Sequence, residues 1–154
     1  MRRALYSLLY DHLRRNYPDQ LLTLQDAGMV DEFLSRQAEA LECIPELQKR
    51  GGLPWYAVTE FTEDWFTGTL GHSRYNYVCS VLLDEFGEVY EGWTQSGILT
   101  YEVANLIEDC GPVFDHFEKE GQEDSKWLRY AIIGTIQEYL EKGSEESENV
   151  SYGL

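Results

Sequence analysis

A chain of 154 residues with 43% hydrophobic and 14% aromatic content can bury a sizeable core without disulfides or metal, which excludes a disordered or disulfide-stapled protein. Twelve Lys or Arg against 28 Asp or Glu leave a net charge of −16, which argues against nucleic acid and anionic membrane as partners. The acidity is uneven: residues 1–83 hold eight basic and eleven acidic side chains, net −3, whereas residues 84–154 hold four and seventeen, net −13.

The first predicted helix runs from Arg2 to Tyr17, because Leu5, Leu8, Leu9, His12 and Leu13 recur at helical spacing. Pro18 ends it, since the residue before proline avoids the helical region. Its apolar run, Ala4 to Tyr10, is interrupted by Ser7 and followed by Asp11 and His12, so it does not read as a secretory signal. No run of 18 apolar residues suggests a membrane span. Cys43, Cys79 and Cys110 are odd in number and far apart, as expected of free, mostly buried thiols in a reducing cytoplasm.

A second helix is expected from Ala27 to Lys49, capped by Asp26, with Val30, Phe33, Leu34, Leu41 and Ile44 inward. Pro45 should kink it and Arg50–Gly52 should end it. A third starts with Pro54 as its first helical residue, carries Trp55, Val58, Phe61, Trp65 and Phe66 as core, and stops near Gly68. After "GTLG" (68–71), a fourth helix spans 73–86 with Ser73 as its N-cap. Tyr75, Val78, Cys79, Leu82 and Phe86 cover one face, and Tyr77, Val81 and Leu83 cover much of the rest, which predicts a helix buried nearly all round.

Residues 87–97, with three glycines and no helical period, read as a loop. A fifth helix runs from a Thr100 cap to Cys110, and Gly111-Pro112 break it before a short turn, "VFDHFEKE". A sixth runs from Ser125 to Lys142, with Leu128, Ile132, Thr135, Ile136, Tyr139 and Leu140 inward and Gly143 as its cap. Gly134 inside it points to close helix packing. No internal repeat is visible. The elements predict one all-α domain over residues 1–143: a compact orthogonal bundle of six or seven helices, with those near 73–86 and 125–142 central. An acidic flexible tail over 144–154 follows.

The head of the fourth helix is the candidate site. His72, Arg74, Tyr75 and Asn76 place a cation and hydrogen-bonding groups at a helix N-terminus, where an anion or a partner can bind. The structural alternative is that Ser73 and Asn76 satisfy the orphan N–H groups of a buried helix start. Arg74 opposes the helix dipole there, so it needs an acidic neighbour or an exposed task. The third and fourth helices could also form a helix-turn-helix, with Arg74 and Asn76 facing bases, but Arg74 is the only basic residue between Arg50 and Lys119. His12, His72 and His116 are isolated, so no metal and no cofactor are expected. Glu60, Glu63 and Asp64 read as a solvated face rather than as a catalytic carboxylate pair.

Three segments, "HSRYNYVCSVLLDEF" (72–86), "PVFDHFE" (112–118) and "IIGTIQEYLEKG" (132–143), resemble domain-of-unknown-function family 1896. Its members are short proteins of Bacteroides-type bacteria, often encoded among mobile-element genes. Arg74 stands where the family pattern has Lys, and the aromatic after His72 is missing. The likeness covers about residues 55–143 and implies an all-helical fold without assigned activity or catalytic residues.

The expected role is a non-enzymatic interaction or regulatory accessory protein. Its acidic second half would face a basic protein, in one version as a DNA mimic of a mobile element, and its tryptophans would support a homodimer. The alternative is a small-molecule or anion binder, or an enzyme, that uses His72, Arg74, Tyr75 and Asn76.

Overall fold

A computed structural model describes residues 2–44, 53–122 and 125–152, with side chains up to residue 143. Every regular element among them is a helix. They are α1 (Arg2–Asn16), α2 (Pro18–Asp26), α3 (Val30–Glu42), α4 (Trp55–Leu70), α5 (Arg74–Glu85), α6 (Gly87–Gln95), α7 (Leu99–Lys119) and α8 (Lys126–Tyr152). The chain divides into two compact units, Met1–Asn76 and Tyr77–Leu154.

In the first unit α1 packs against α2, α3 and α4. Leu5, Leu9 and Leu13 make its buried stripe, at the spacing of one helix face. They join Tyr17, Leu21, Leu34, Ala38, Leu41, Val58 and Phe66 in one core. Pro18 does end α1: Tyr17 leaves the helical region at φ −135°, ψ 47°, and Pro18 opens a second helix where the sequence suggested none. That helix closes on Gly28 at φ +69°, with Met29 N–H donating to the Leu24 carbonyl. The expected Asp26 cap is therefore displaced, and α3 starts at Val30. The kink at Pro45 and the end at Arg50–Gly52 lie outside the described residues. Pro54 sits just before α4 rather than within it, and Trp55 is 57% exposed, so it is not core.

In the second unit α7 packs on α6 and on α8. Val78, Val81 and Leu82 of α5 are fully buried, as are Val103, Leu106 and Cys110 of α7 and Ile132 and Ile136 of α8. One stripe of α5 faces water, however: Asn76, Ser80, Leu83 and Asp84 are exposed, so the helix is not enclosed all round. Residues 87–95 are helix, not loop. None of their side chains is buried, which left no apolar period to read. Proline does not break α7 at Pro112. That residue and Glu108, whose carbonyl loses its donor, are both exposed, so water can serve the orphaned group. The last helix continues through Gly143, beyond the expected cap. A Cβ at Gly134 would meet nothing within 4 Å, so close packing does not explain that glycine.

The two units repeat one plan, which the sequence did not disclose. The elbow at Tyr17 recurs at Phe86, 69 positions later, with φ −136° and ψ 47°. The turn at Gly28 recurs at Gly97, φ +73°, where Ile98 N–H donates to the Trp93 carbonyl. Met29 and Ile98 then share φ −110°, with ψ 5° and 4°. Buried residues fall in the same register: Leu9 with Val78, Leu13 with Leu82, Leu34 with Val103, Ala38 with Ile107 and Leu41 with Cys110. Val58, Thr62 and Phe66 of α4 match Leu128, Ile132 and Ile136 of α8 with the register shifted by one residue. Each unit is therefore a helix, an elbow, a short helix, a glycine turn, a third helix and a fourth. The pattern of burial and turns is repeated, while the residue types at most positions differ.

Candidate functional site

Ser73 caps α5 as its sequence position suggested. Its Oγ accepts the Asn76 backbone N–H at 3.0 Å, three residues into the helix. The same hydroxyl donates to the Asn16 carbonyl at the end of α1, a group the helix itself leaves unpaired. Asn76 Nδ2 donates to Asn16 Oδ1 at 2.9 Å, and Asn16 Nδ2 reaches back to the His12 carbonyl at 3.2 Å and to His12 Nδ1 at 3.2 Å. Tyr17 Oη donates to the Gly71 carbonyl at 2.7 Å. The head of α5 and the turn before it are thus tied to the elbow between α1 and α2.

Three groups at this elbow are displaced in charge preference. Burial pushes the His12 imidazole down, with Glu63 and Asp11 acting the other way. Its ring lies against Phe66 at 5.3 Å between centroids and 13° between planes. Burial pushes the Asp19 carboxyl up, offset in part by its own and the Gln20 backbone N–H groups and by the charge of Arg74. Asp19 Oδ1 is shut off from water and has no hydrogen-bond partner among the described residues, a situation that costs about 1–3 kcal/mol. Tyr17 is also raised by burial.

Of the four residues marked in the sequence, Asn76 and Arg74 meet the elbow, Asn76 by hydrogen bond and Arg74 by its charge on Asp19. Tyr75 is half-buried and His72 is exposed. Asp19 is an acidic neighbour of the kind that a cation in a first helical turn calls for. Sequence reasoning missed Asn16 and Asp19; it placed His12, which is half-buried, on the inward face of the first helix but not in this site. The signal within reach was Asp19 immediately after Pro18, an acidic side chain at a helix start. The partnership of Asn16 with Ser73 and Asn76 spans about sixty residues and has no local signature.

Chemically, this arrangement is a lock of amide and hydroxyl groups. His12 Nδ1 is engaged by Asn16, and Ser73, Asn76 and Tyr17 each bond to another part of the chain, which leaves Asp19 Oδ1 as the unmatched atom among the described residues. Among the described residues no group of three or more His, Cys, Asp or Glu is placed to hold a metal ion, and no helix is long and apolar enough to cross a membrane. The cysteines are free, with Cys43 exposed, Cys79 half-buried and only Cys110 buried.

The second unit differs from the first in charge. Residues 1–76 hold eight basic and eleven acidic side chains, net −3, whereas residues 77–154 hold four and seventeen, net −13. Asp84, Glu85, Glu88, Glu91, Glu108, Asp109, Asp115, Glu118, Glu120, Glu138 and Glu141 are all exposed. Arg129 pairs with Asp84 and Glu85, each at 3.3 Å. No family model, no curated protein and no solved structure matches this chain.

Proposed function

We propose that this is a non-enzymatic interaction protein of the cytoplasm whose second unit binds a basic protein. The observation that carries the reading is the contrast between two copies of one helical plan, one at −3 and the other at −13. A shared fold does not require that difference, and clustered like charge costs compactness through self-repulsion. Exposed carboxylates along α6, α7 and α8 offer a long-range attraction to Lys and Arg and suit fast, salt-sensitive association. A DNA-mimicking accessory protein of a mobile element is one form of this function. The likeness of residues 55–143 to family 1896 belongs to the proposal and brings no activity with it.

Self-association of two chains is also proposed. Trp55, Tyr56, Trp127 and Tyr130 are 57%, 76%, 60% and 59% exposed, and such side chains are enriched at protein interfaces. The small-molecule reading of His72, Arg74, Tyr75 and Asn76 is set aside, because Asn76 is committed to Asn16 and Arg74 acts on Asp19.

Calorimetric titration of the full chain with a deca-arginine peptide tests the main reading. Binding is expected at low ionic strength, weakening by about tenfold or more as salt shortens the screening length. Absence of binding at low salt, or affinity that does not change with salt, would overturn it.

A further inference from the structure

The repeat marks one place where the second unit carries polar chemistry that the fold does not need. Glu102 of α7 occupies the position of Phe33 in the first unit, and Trp93 of α6 that of Leu24. In the first unit Phe33 and Leu24 pack against the core, and Phe33 lies over Phe66 at 6.4 Å. In the second unit Tyr139 of α8 donates its hydroxyl to Glu102 Oε2, and the Asn105 amide lies near the same hydroxyl. Trp93 stands edge-on to the Tyr139 ring at 6.4 Å and 86°. Asp109 lies near enough to act on Tyr139 electrostatically, two turns along α7 from Glu102.

The result is a group of two carboxylates, an amide, a phenol and an indole, half-buried except for the exposed Asp109. Among the described residues no cation pairs with Glu102 or Asp109. Carboxylates beside aromatic rings suit a guanidinium, which can take hydrogen bonds in its plane and stack on its face. Tyr139 fixes the Glu102 carboxylate, so one of the two acceptors is oriented before a ligand arrives.

We propose that Trp93, Glu102, Asp109 and Tyr139 form the anchor for an arginine side chain of the basic partner. The inference rests on the proposed role of the second unit and names the point on that surface where discrimination occurs. The remaining exposed carboxylates then supply attraction without specificity.

The test is titration of the full chain with deca-arginine against three variants whose folding is checked by circular dichroism. Glu102→Gln removes the charge but keeps an acceptor for Tyr139, and Trp93→Leu installs the residue found at the matching position of the first unit. Glu120→Gln removes one exposed carboxylate just beyond the end of α7. Glu102→Gln and Trp93→Leu are each expected to weaken binding by about tenfold, as for a central anchor. Glu120→Gln should weaken it by no more than about twofold, as for a peripheral charge. If Glu102→Gln and Glu120→Gln have equal small effects while wild type binds, the anchor is wrong and the acidic surface stands. If wild type does not bind at all, both are wrong.

Discussion

Replacing Ser73 with alanine removes two different bonds with one atom. The first is the cap on the Asn76 N–H at 3.0 Å, and its loss costs about 1 kcal/mol. The second is the donation to the Asn16 carbonyl, half-buried at the end of α1, worth about another 1 kcal/mol. Ser125 provides the comparison within the same chain. Its Oγ accepts the Trp127 N–H at 3.1 Å and so supplies a cap to α8. Urea unfolding followed by circular dichroism should give a loss of about 2 kcal/mol for Ser73→Ala and about 1 kcal/mol for Ser125→Ala. Asn16→Ala leaves the backbone carbonyl in place, so it should cost less than Ser73→Ala. Equal losses at Ser73 and Ser125 would show that the bond to α1 contributes nothing, and the description of the α5 head as a lock would fail.

Gly134→Ala should stabilise the chain by about 1 kcal/mol, since a Cβ there meets nothing and alanine favours a helix interior. Gly97→Ala should destabilise by a similar amount, about 1 kcal/mol, because φ is +73°. Thermal unfolding of the two variants checks the pair, and a loss at Gly134 would refute the open space around it. With a thiol reagent at neutral pH, Cys43 should react in the native chain, whereas Cys110, buried and pushed up to about 12, should react only on unfolding. Asp19 has its pKa raised by burial, so the stability it contributes is present below 3.8 and is lost as pH rises through its folded value. Asp19→Asn should therefore be more stable than wild type at pH 7, with the gain shrinking toward pH 3.8; a gain independent of pH would contradict the cause given.

The all-helical character was legible wherever a buried stripe was present. Val78, Val81 and Leu82, or Leu128, Ile132 and Ile136, recur at spacings that only a helix face explains. The cap of Ser73 was local and equally plain, whereas Ser125 was read only as the start of its helix. Residues 87–95 were opaque because Gly87 and Gly92 disfavour a helix and none of the nine side chains is buried. Pro112 misled because its exposure, which makes the missing bond tolerable, is a property of the folded chain. The repeat was hidden for a related reason. Tyr17 and Phe86, or Ala38 and Ile107, do the same job with different side chains, and burial rather than identity carries the register. At the α5 head the cap could be read from Ser73 and Asn76, but Asn16 could not, because a contact between distant positions leaves no periodicity.

The charge contrast between the two units can be tested in one experiment: a backbone amide shift map of the full chain titrated with deca-arginine. The expected result is a set of shifts concentrated in residues 84–143, strongest around Trp93, Glu102 and Tyr139, and suppressed by added salt. Shifts confined to residues 2–76, or spread evenly over both units, would contradict a binding role for the acidic copy.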